Sequence, residues 1–256
     1  MRLRIVILGS GGYVSTPDRG FPSIIVDLGV GYYMFDVGEY TSRQFFKAKL
    51  NPHKLKAIFI THRHGDHVLG LPGLIINLYS AGVTGKGSIR VYAPYWCEKQ
   101  VRELFLNYGG LRESVILEYN FFREVSGGKP VYSDDYVEVY AMEMEHSVPS
   151  VAYKLITRSS GKVIVYSGDT KPTSRIIDFS SGADILVYEA SFSEGEEDLA
   201  VSLGHSTVKH AIEVAAKAKV KKLILFHLGL QKFTNKRFNV GRLEVIVPSD
   251  LDEIYV

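Results

Sequence analysis

The sequence predicts an α/β fold built on large β-sheets, and three observations support that class. Short apolar runs with strand character recur along much of the chain, as at 57–61, 184–189 and 223–226. A helical spacing of apolar residues falls between such runs, most clearly over 206–218. Conspicuous polar residues follow several of the runs directly. Strands interleaved with helices are typical of α/β proteins, which place their functional sites at strand ends.

Length and composition narrow the class of protein further. The chain has 256 residues, of which 46% are apolar and 23% are charged, so we expect one domain, 1–256, with a sizeable core. The formal net charge of +2 neither indicates nor excludes nucleic-acid binding. Cys97 is the single cysteine, so an internal disulfide and a thiolate metal cluster are excluded. Any metal must therefore be held by nitrogen and oxygen ligands.

The N-terminal half is predicted to combine a hairpin with two helices. The hairpin turns over 29–31, and a short helix follows Gly38. A second helix is predicted over 66–79, although Gly70 and Pro72 make its first half irregular. The predicted strands of this half are 2–8, 22–28, 31–36 and 57–61.

The C-terminal half has one clear amphipathic helix among strands. The helix spans 206–218, with Ser206 or Thr207 as its N-cap. Residues 95–135 carry no pattern that favours one element. The predicted strands lie near 89–93, 136–144, 151–157, 162–167, 184–189 and 223–226. No apolar stretch approaches the ~20 residues that cross a bilayer, so we expect a cytoplasmic protein without membrane association.

Four potential metal ligands are crowded directly after the buried strand at 57–61, on a turn that Gly65 makes tighter. These ligands are His62, His64, Asp66 and His67. Imidazole and carboxylate groups suit zinc, manganese or iron, and catalytic sites keep one position open for water. Polar residues that merely crowd a surface turn would not form an ordered His-x-His-x-Asp-His after a buried strand. The segment therefore predicts a two-metal hydrolase.

Other polar residues also follow apolar runs, at Asp169, Glu189 and His227. Each has a plain structural alternative when it is considered alone. Asp169 lies in a Gly-Asp pair that is common in turns, and His227 could be a buried core histidine. Because strands deliver their end residues to a shared edge, these side chains are candidates for the same site.

The segment His62-Arg-His-Gly-Asp-His67 resembles the signature of the metallo-β-lactamase superfamily, and within it the chain most resembles the ribonuclease Z family of tRNA 3′-end endonucleases. The Gly-His-Ser-Thr sequence at 204–207 is the most discriminating similarity. His64 stands where flavodiiron redox relatives carry glutamate, which favours hydrolysis. Further similar segments occur in the family's order at 8–12, 16–19, 36–44, 70–74, 146, 167–170, 189–190 and 225–227.

The resemblance implies the αββα sandwich of the superfamily, with two central β-sheets flanked by helices, and a site that holds two zinc ions (or manganese or iron). It also implies that an attacking hydroxide bridges the metals. A homodimer is expected from the same family. One ion would be bound by His62, His64 and His146, the other by Asp66, His67 and His227, and both by Asp169.

The resemblance assigns further roles to residues around the metals. Asp66 would act as general base, and His205, oriented by Glu189, would protonate the departing oxygen. Arg19 is a candidate phosphate clamp, although a solvent-exposed arginine is equally consistent with the sequence. The remaining histidines are interpreted as surface residues, namely His53 and His210.

The chain departs from the ribonuclease Z pattern in three places. Only 22 residues, 147–168, separate His146 from Asp169, which suffices for two strands and a turn but not for the family's projecting tRNA-binding arm. Tyr188 and Ser191 replace the histidine and threonine of the family's His-Glu-Ala-Thr motif. Because an arm supplies phosphate contacts and not chemistry, the expected substrate class is a phosphodiester, either an RNA 3′ end or a small or cyclic diester.

Two other functions are compatible with the fold. The first is a metal-dependent lactonase or carboxyl-ester hydrolase, or an aryl sulfate hydrolase, on the same metals. The second is a non-catalytic RNA-binding subunit. The Gly-His-Ser-Thr loop favours the phosphodiesterase over the first, and a complete set of metal ligands argues against the second.

Overall fold

Strands form the framework of the computed structural model, which describes residues 3–85, 87–105 and 117–256. The strands are β1 (Arg4–Gly9), β2 (Ser23–Asp27), β3 (Tyr32–Phe35), β4 (Leu55–Phe59), β5 (Ile89–Pro94), β6 (Leu117–Phe122), β7 (Ser126–Ser133), β8 (Val137–Met144), β9 (Ser150–Thr157), β10 (Val163–Tyr166), β11 (Ile185–Glu189), β12 (Lys222–Phe226), β13 (Arg237–Val240), β14 (Leu243–Ile246) and β15 (Glu253–Tyr255).

Helices separate many of these strands, as an α/β chain requires. The α-helices are α1 (Thr41–Lys47), α2 (Gly65–Val68), α3 (Leu71–Ser80), α4 (Glu98–Glu103), α5 (Ser174–Phe179), α6 (Glu197–Ser202) and α7 (Val208–Lys217). Short 3₁₀ turns occur at Pro52–Lys54 and Tyr95–Cys97. Among the described residues, no helix is long and apolar enough to span a bilayer.

The chain divides into two units, each with its own sheet. The first unit comprises the described parts of Met1–Ser10, Ser15–Arg123 and Ser249–Val256. The second unit comprises Gly11–Val14 and Glu124–Pro248. The single domain that the sequence predicts over 1–256 stays a prediction.

The first unit is a seven-stranded mixed sheet in the order β15-β1-β2-β3-β4-β5-β6. The strands from β3 to β6 run parallel to one another, and β1, β2 and β15 pair antiparallel. Helices α1 and α3 lie on one face, where Phe45 and Leu74 join a buried cluster with Ile25 and Ile58 of the sheet. A parallel centre covered by helices explains why β4 is an almost uninterrupted apolar run.

The second unit is an eight-stranded mixed sheet in the order β13-β14-β12-β11-β10-β9-β8-β7. Strands β10, β11, β12 and β14 are parallel, so their carboxyl ends lie at the same edge. Helices α5 and α7 cover one face, where Phe179 and Val214 pack with Leu186 and Leu223. Both sheets are mixed and carry helices, so the predicted α/β fold class is confirmed.

Most predicted elements are present, and the differences have local causes. The helix predicted over 66–79 is two helices, α2 and α3, because the Gly70 amide donates to the Val37 carbonyl at 2.9 Å and Pro72 has no amide hydrogen. Thr207, not Ser206, caps α7, since its hydroxyl accepts from the His210 amide at 3.2 Å. Residues 106–116, part of the stretch without a pattern, lie outside the described residues.

Candidate metal centre and active site

Asp36 is the centre of the polar network in the first unit. It follows β3 directly, is fully buried and adopts a left-handed backbone conformation with φ of 55°. Its carboxylate accepts from the Thr61 amide at 2.8 Å, from the Thr61 hydroxyl at 2.9 Å and from His67 Nδ1 at 2.8 Å. A buried carboxylate that accepts this many hydrogen bonds fixes the groups around it.

The same network sets which nitrogen of each imidazole is available. His67 donates through Nδ1 to Asp36, so its Nε2 carries the lone pair. The Thr61 hydroxyl donates to Asp36 and therefore accepts from His62 Nδ1, which lies 2.9 Å away. Orientation of a metal ligand by a hydrogen bond through its other nitrogen is the usual arrangement at metal sites. Nε2 is therefore the candidate ligand atom of both His62 and His67.

The donor atoms of this loop have the spacing that a small divalent ion requires. His62 Nε2 and His64 Nδ1 lie 3.1 Å apart. Two nitrogens bound to one tetrahedral zinc ion at 2.0–2.1 Å would be about 3.3 Å apart. Asp66, on α2, is half-buried, and its Oδ2 lies 3.6 Å from His67 Nε2. The residues of the first unit thus fit a divalent metal.

In the second unit, the parallel strands β10, β11 and β12 bring three side chains to one edge. Asp169 follows β10, Glu189 is the last residue of β11 and His227 follows β12. All three are buried. His227 has a φ of 52°, so a non-glycine residue again turns left-handed immediately after a buried strand, as Asp36 does after β3.

Glu189 is the buried carboxylate that orders this edge. It accepts from the amides of Thr170 at 2.6 Å and Ser206 at 3.1 Å, and from the Ser191 hydroxyl at 2.6 Å. His205 Nδ1 lies 3.1 Å from its Oε1. These bonds stabilise the carboxylate, and they fix the His205 ring so that its Nε2 points away from Glu189.

Ser191 extends the influence of Glu189 to a second histidine. Its hydroxyl donates to Glu189 and therefore accepts from His227 Nδ1, which lies 2.8 Å away. His227 Nε2 is left as the ligand atom and lies 3.4 Å from Asp169 Oδ2. The serine that departs from the family's threonine thus supplies the same hydroxyl.

His146 is held by the loop that contains the Gly-His-Ser-Thr sequence. Its Nδ1 lies 2.8 Å from the Gly204 carbonyl, to which it donates. Gly204 has a φ of 85°, and a Cβ there would lie 2.6 Å from the Ser147 amide nitrogen, so only glycine fits. Burial lowers the pKa of His146, against the opposing charge of Asp169, and so favours the neutral imidazole that binds metals.

Asp169 lies among the imidazoles of the second unit. Its Oδ2 is 3.4 Å from His227 Nε2, 3.8 Å from His146 Nε2 and 3.9 Å from His205 Nδ1. One donor atom each from Asp169, His205 and His227 fall within 4.8 Å of one another, a spacing compatible with a metal ion. A set of carboxylate and imidazole donors with fixed tautomers suits zinc, manganese or iron.

The other residues discussed in the sequence analysis lie outside the two carboxylate–histidine networks. Arg19 is half-buried, and its Nη1 donates to the Ser10 hydroxyl at 2.6 Å; its role as a phosphate clamp stays a prediction. His53 is exposed, as expected, whereas His210 is half-buried and closes the capping box of α7. The Tyr188 hydroxyl, in place of the family's histidine, lies 3.0 Å from the Ser206 hydroxyl.

The structure adds Asp36, Thr61 and Ser191 to the polar groups that the sequence identified. Asp36 had a recognisable signal, because it directly follows the apolar run 32–35, as Glu189 and His227 follow theirs. Thr61 had none, since threonine beside a strand is common in any fold, whereas Ser191 stands at the threonine position of the family's His-Glu-Ala-Thr motif.

The interval between His146 and Asp169 is fully used by the second sheet. Strands β9 and β10 pair antiparallel through it, with Ile156 opposite Val163. The residues between them form a short turn in which Gly161 takes a φ of 63°. A projecting arm is therefore absent from this interval, as the sequence predicts.

Comparison with known proteins defines the family. The model of the β-lactamase superfamily domain matches residues 24–228. The ribonuclease Z of Pyrococcus horikoshii is 31% identical, with 99% of this chain and 96% of that protein covered, and the ribonuclease Z of Archaeoglobus fulgidus is 33% identical, with 90% and 88% covered. The chain therefore belongs to the β-lactamase superfamily and, within it, to the ribonuclease Z family.

Solved structures show the same fold. The short form of human tRNase Z is similar with a TM-score of 0.82 at 23% identity, covering 98% of both chains. A diphosphatase of the PhnP family has a TM-score of 0.75 at 18% identity, with 99% and 97% covered. The metallo-β-lactamase fold implied by the sequence is thus confirmed. The alignment with the P. horikoshii protein spans 307 positions, more than the 256 residues of this chain, so that relative contains segments that this chain lacks.

Proposed function

We propose that this chain is a metal-dependent phosphodiesterase that hydrolyses a phosphodiester bond of RNA or of a small diester. The observation that carries the proposal is the second unit's edge, where Asp169 lies among three imidazoles and Glu189 holds His205 by Nδ1. Membership of the ribonuclease Z family supports the same reaction.

Two divalent ions, with zinc as the proposed metal, would lower the pKa of water and stabilise negative charge on the phosphate oxygens. Asp169 is assigned as the ligand common to both ions. One ion is assigned to His62, His64 and His146, and the other to Asp66, His67 and His227.

His205 is assigned the transfer of a proton to the departing oxygen. Its Nδ1 is engaged with Glu189, so the proton would be delivered from Nε2. The buried negative charge of Glu189 stabilises the protonated ring before transfer. Asp66, half-buried on α2, is assigned the role of general base. Asp169 is not assigned that role, because it is the proposed ligand of both ions and lies 3.4 Å from His227 Nε2.

The relatives of the chain and the short interval between β9 and β10 support two candidate substrate classes. The human structural neighbour is a tRNase Z, and the P. horikoshii relative is a ribonuclease Z, so an RNA 3′ end is the first candidate. The short interval between β9 and β10 favours a second candidate, a small or cyclic phosphodiester, because it leaves no arm to hold a large RNA. A cytoplasmic location and a homodimer are proposed from the family alone.

A substrate panel separates these functions. Zinc-loaded protein is incubated with bis-p-nitrophenyl phosphate, an aryl acetate, a lactone and a precursor tRNA. We expect turnover of the phosphodiester, and cleavage of the precursor if RNA is the natural substrate. Turnover of the ester or lactone without the phosphodiester would overturn the proposed function.

A further inference from the structure

A pocket of about 580 Å³ lies beside α1, outside the polar networks described above. Residues of α1 and its N-terminal approach form one wall, and the loop around Thr16 and Gly20 forms another. Its volume is in the range of pockets that hold small ligands. The metal-binding histidines are not among the residues that line it.

Two cations line the pocket from the same side of α1. Arg43 and Lys47 are four residues apart, which places them one turn apart on one helix face. Both are exposed, and among the described residues no carboxylate lies within 4.0 Å of either charged group. A guanidinium next to an ammonium, neither engaged in an ion pair, is a chemistry that recognises phosphate.

Tyr40 gives the pocket an aromatic surface. Tyr40 is 52% exposed, although it carries a large aromatic side chain. Its backbone has a φ of 69°, a left-handed conformation that disfavours non-glycine residues, and the Tyr40 carbonyl accepts from the Gln44 amide at 3.0 Å. The fold thus maintains a costly conformation that presents this ring.

The carboxylate in the pocket wall is engaged elsewhere. Asp250 accepts from the Ser10 amide at 2.9 Å, the Ser10 hydroxyl at 2.8 Å, the Gly20 amide at 2.7 Å and Gln44 Nε2 at 3.2 Å. These bonds tie the N-terminal loop to α1 and hold the two walls at a fixed separation. The carboxylate therefore serves the shape of the pocket, and among the described residues it lies beyond 4.0 Å of the charged groups of Arg43 and Lys47.

The pocket is connected to the loop His62–His67, which carries the proposed metal ligands, through a short stretch of chain and a backbone hydrogen bond. The Val37 amide donates to the His67 carbonyl at 2.8 Å, and Tyr40 follows three residues later. The four residue-to-residue steps from Asp36 to Tyr40 span at most about 14 Å. A strand whose reacting phosphate lies at the metal-binding loop can therefore bring a neighbouring nucleotide to this pocket.

We propose that this pocket binds a nucleotide of a single-stranded RNA, with the base stacked on Tyr40 and the phosphate held by Arg43 and Lys47. Stacking on an aromatic ring with cationic contacts to the backbone is how single strands are bound without sequence preference. The pocket deepens the proposed function and rests on it, because it adds a nucleotide subsite beside α1 to the proposed phosphodiesterase. It also supplies, on the first unit, phosphate contacts of the kind that an arm would otherwise provide.

The test is a binding measurement that does not depend on turnover. A fluorescein-labelled hexauridylate with phosphorothioate linkages is titrated with zinc-loaded protein, and anisotropy is recorded at several salt concentrations. We expect Arg43→Gln/Lys47→Gln to bind at least about tenfold more weakly, with a salt slope shallower by roughly 0.7 for each phosphate that is no longer neutralised. The control Lys49→Gln/Lys56→Gln removes the same charge from exposed residues outside the pocket and should bind within about twofold of wild type.

Tyr40 provides the second arm of the test. Tyr40→Leu should weaken binding by roughly tenfold, the effect of about 1.4 kcal/mol of stacking, and Tyr40→Phe should restore it. Equal binding by Tyr40→Leu and wild type would overturn the nucleotide assignment. Equal weakening in the two double variants would show a bulk charge effect and would overturn the pocket. Circular dichroism confirms that each variant is folded. The proposed function fails separately, if wild type does not hydrolyse bis-p-nitrophenyl phosphate.

Discussion

The first and second units each use one buried carboxylate to hold two histidines, and the arrangements correspond group by group. In the first unit Asp36 accepts directly from one imidazole and reaches the other through the Thr61 hydroxyl. In the second unit Glu189 does the same with the Ser191 hydroxyl as the relay. The two sheets share no strand, so the same chemical solution is built on two separate scaffolds.

The difference between the units lies in what the oriented histidines are assigned to do. Both histidines held by Asp36 are proposed metal ligands. Of the two held by Glu189, only His227 is a proposed ligand, and His205 is the proposed proton donor. A disturbance of Asp36 should therefore affect metal binding, whereas a disturbance of Glu189 should affect metal binding and proton transfer together.

The largest effect on metal content and turnover is expected for Asp169. Its carboxylate lies near the Nε2 atoms of His146 and His227, whereas the Glu189 carboxylate lies at Nδ1 of His205. Asp169→Ala should lose bound metal and reduce turnover by more than about 100-fold, because even the hydrogen-bonding partners of ligands are worth 10–100-fold. Metal content after dialysis and hydrolysis of bis-p-nitrophenyl phosphate measure the two effects. Asp135→Ala, an exposed aspartate of the same unit, is the matched control. Full metal content in Asp169→Ala would contradict its assignment as the shared ligand.

His205 should separate chemistry from metal binding. His205→Ala is expected to keep its metal and to slow turnover by roughly 10²–10⁴-fold, the usual contribution of a positioned acid. The exposed His53→Ala serves as the control for replacing a histidine. Unchanged kinetics would refute the proton-donor role, and a loss of metal would place His205 among the ligands.

The two carboxylates can be compared directly with amide variants. Asp36→Asn keeps a side chain that tolerates the left-handed backbone, but an amide nitrogen in place of Oδ2 cannot accept from the Thr61 hydroxyl and His67 Nδ1. We expect metal affinity to fall by roughly 10–100-fold. Glu189→Gln should lower affinity less and kcat more, since its direct partner is His205. Chelator competition gives the affinities and steady-state kinetics gives kcat. Equal losses of metal affinity and of kcat in the two variants would contradict the proposal that Asp36 supports metal binding and Glu189 also supports proton transfer.

The sequence predicts the strand-end position of the site, and the features that it does not predict have physical causes. Polar residues after apolar runs predicted the strand-end site, because a strand's direction fixes where its end residue lies. The hydroxyl relays were not predictable, since Ser191 faces an imidazole 36 positions away and Thr61 faces a carboxylate 25 positions away. Strand β7 was not predicted, because Gly127, Gly128 and Pro130 are unfavourable in the interior of a sheet. The strand lies at the edge of the second sheet, where a proline without an amide hydrogen is tolerated.

The smallest effects are expected at the relays. Thr61→Val and Ser191→Ala each remove one hydroxyl between a carboxylate and an imidazole, which should reduce stability by about 1 kcal/mol and metal affinity by roughly tenfold. Ser191→Thr restores the family's residue and its hydroxyl, so it should bind metal as wild type does. Urea unfolding and chelator competition measure these differences. A Ser191→Ala protein indistinguishable from wild type would show that His227 is oriented without the relay.

The central claim is that the protein binds two ions and that Asp169 is a ligand of each. Crystals of the zinc-loaded protein, measured at the zinc absorption edge, test it most directly through the anomalous difference map. We expect two peaks, each within bonding distance of the Asp169 carboxylate. A single peak, or a peak without Asp169 among its ligands, would contradict the claim.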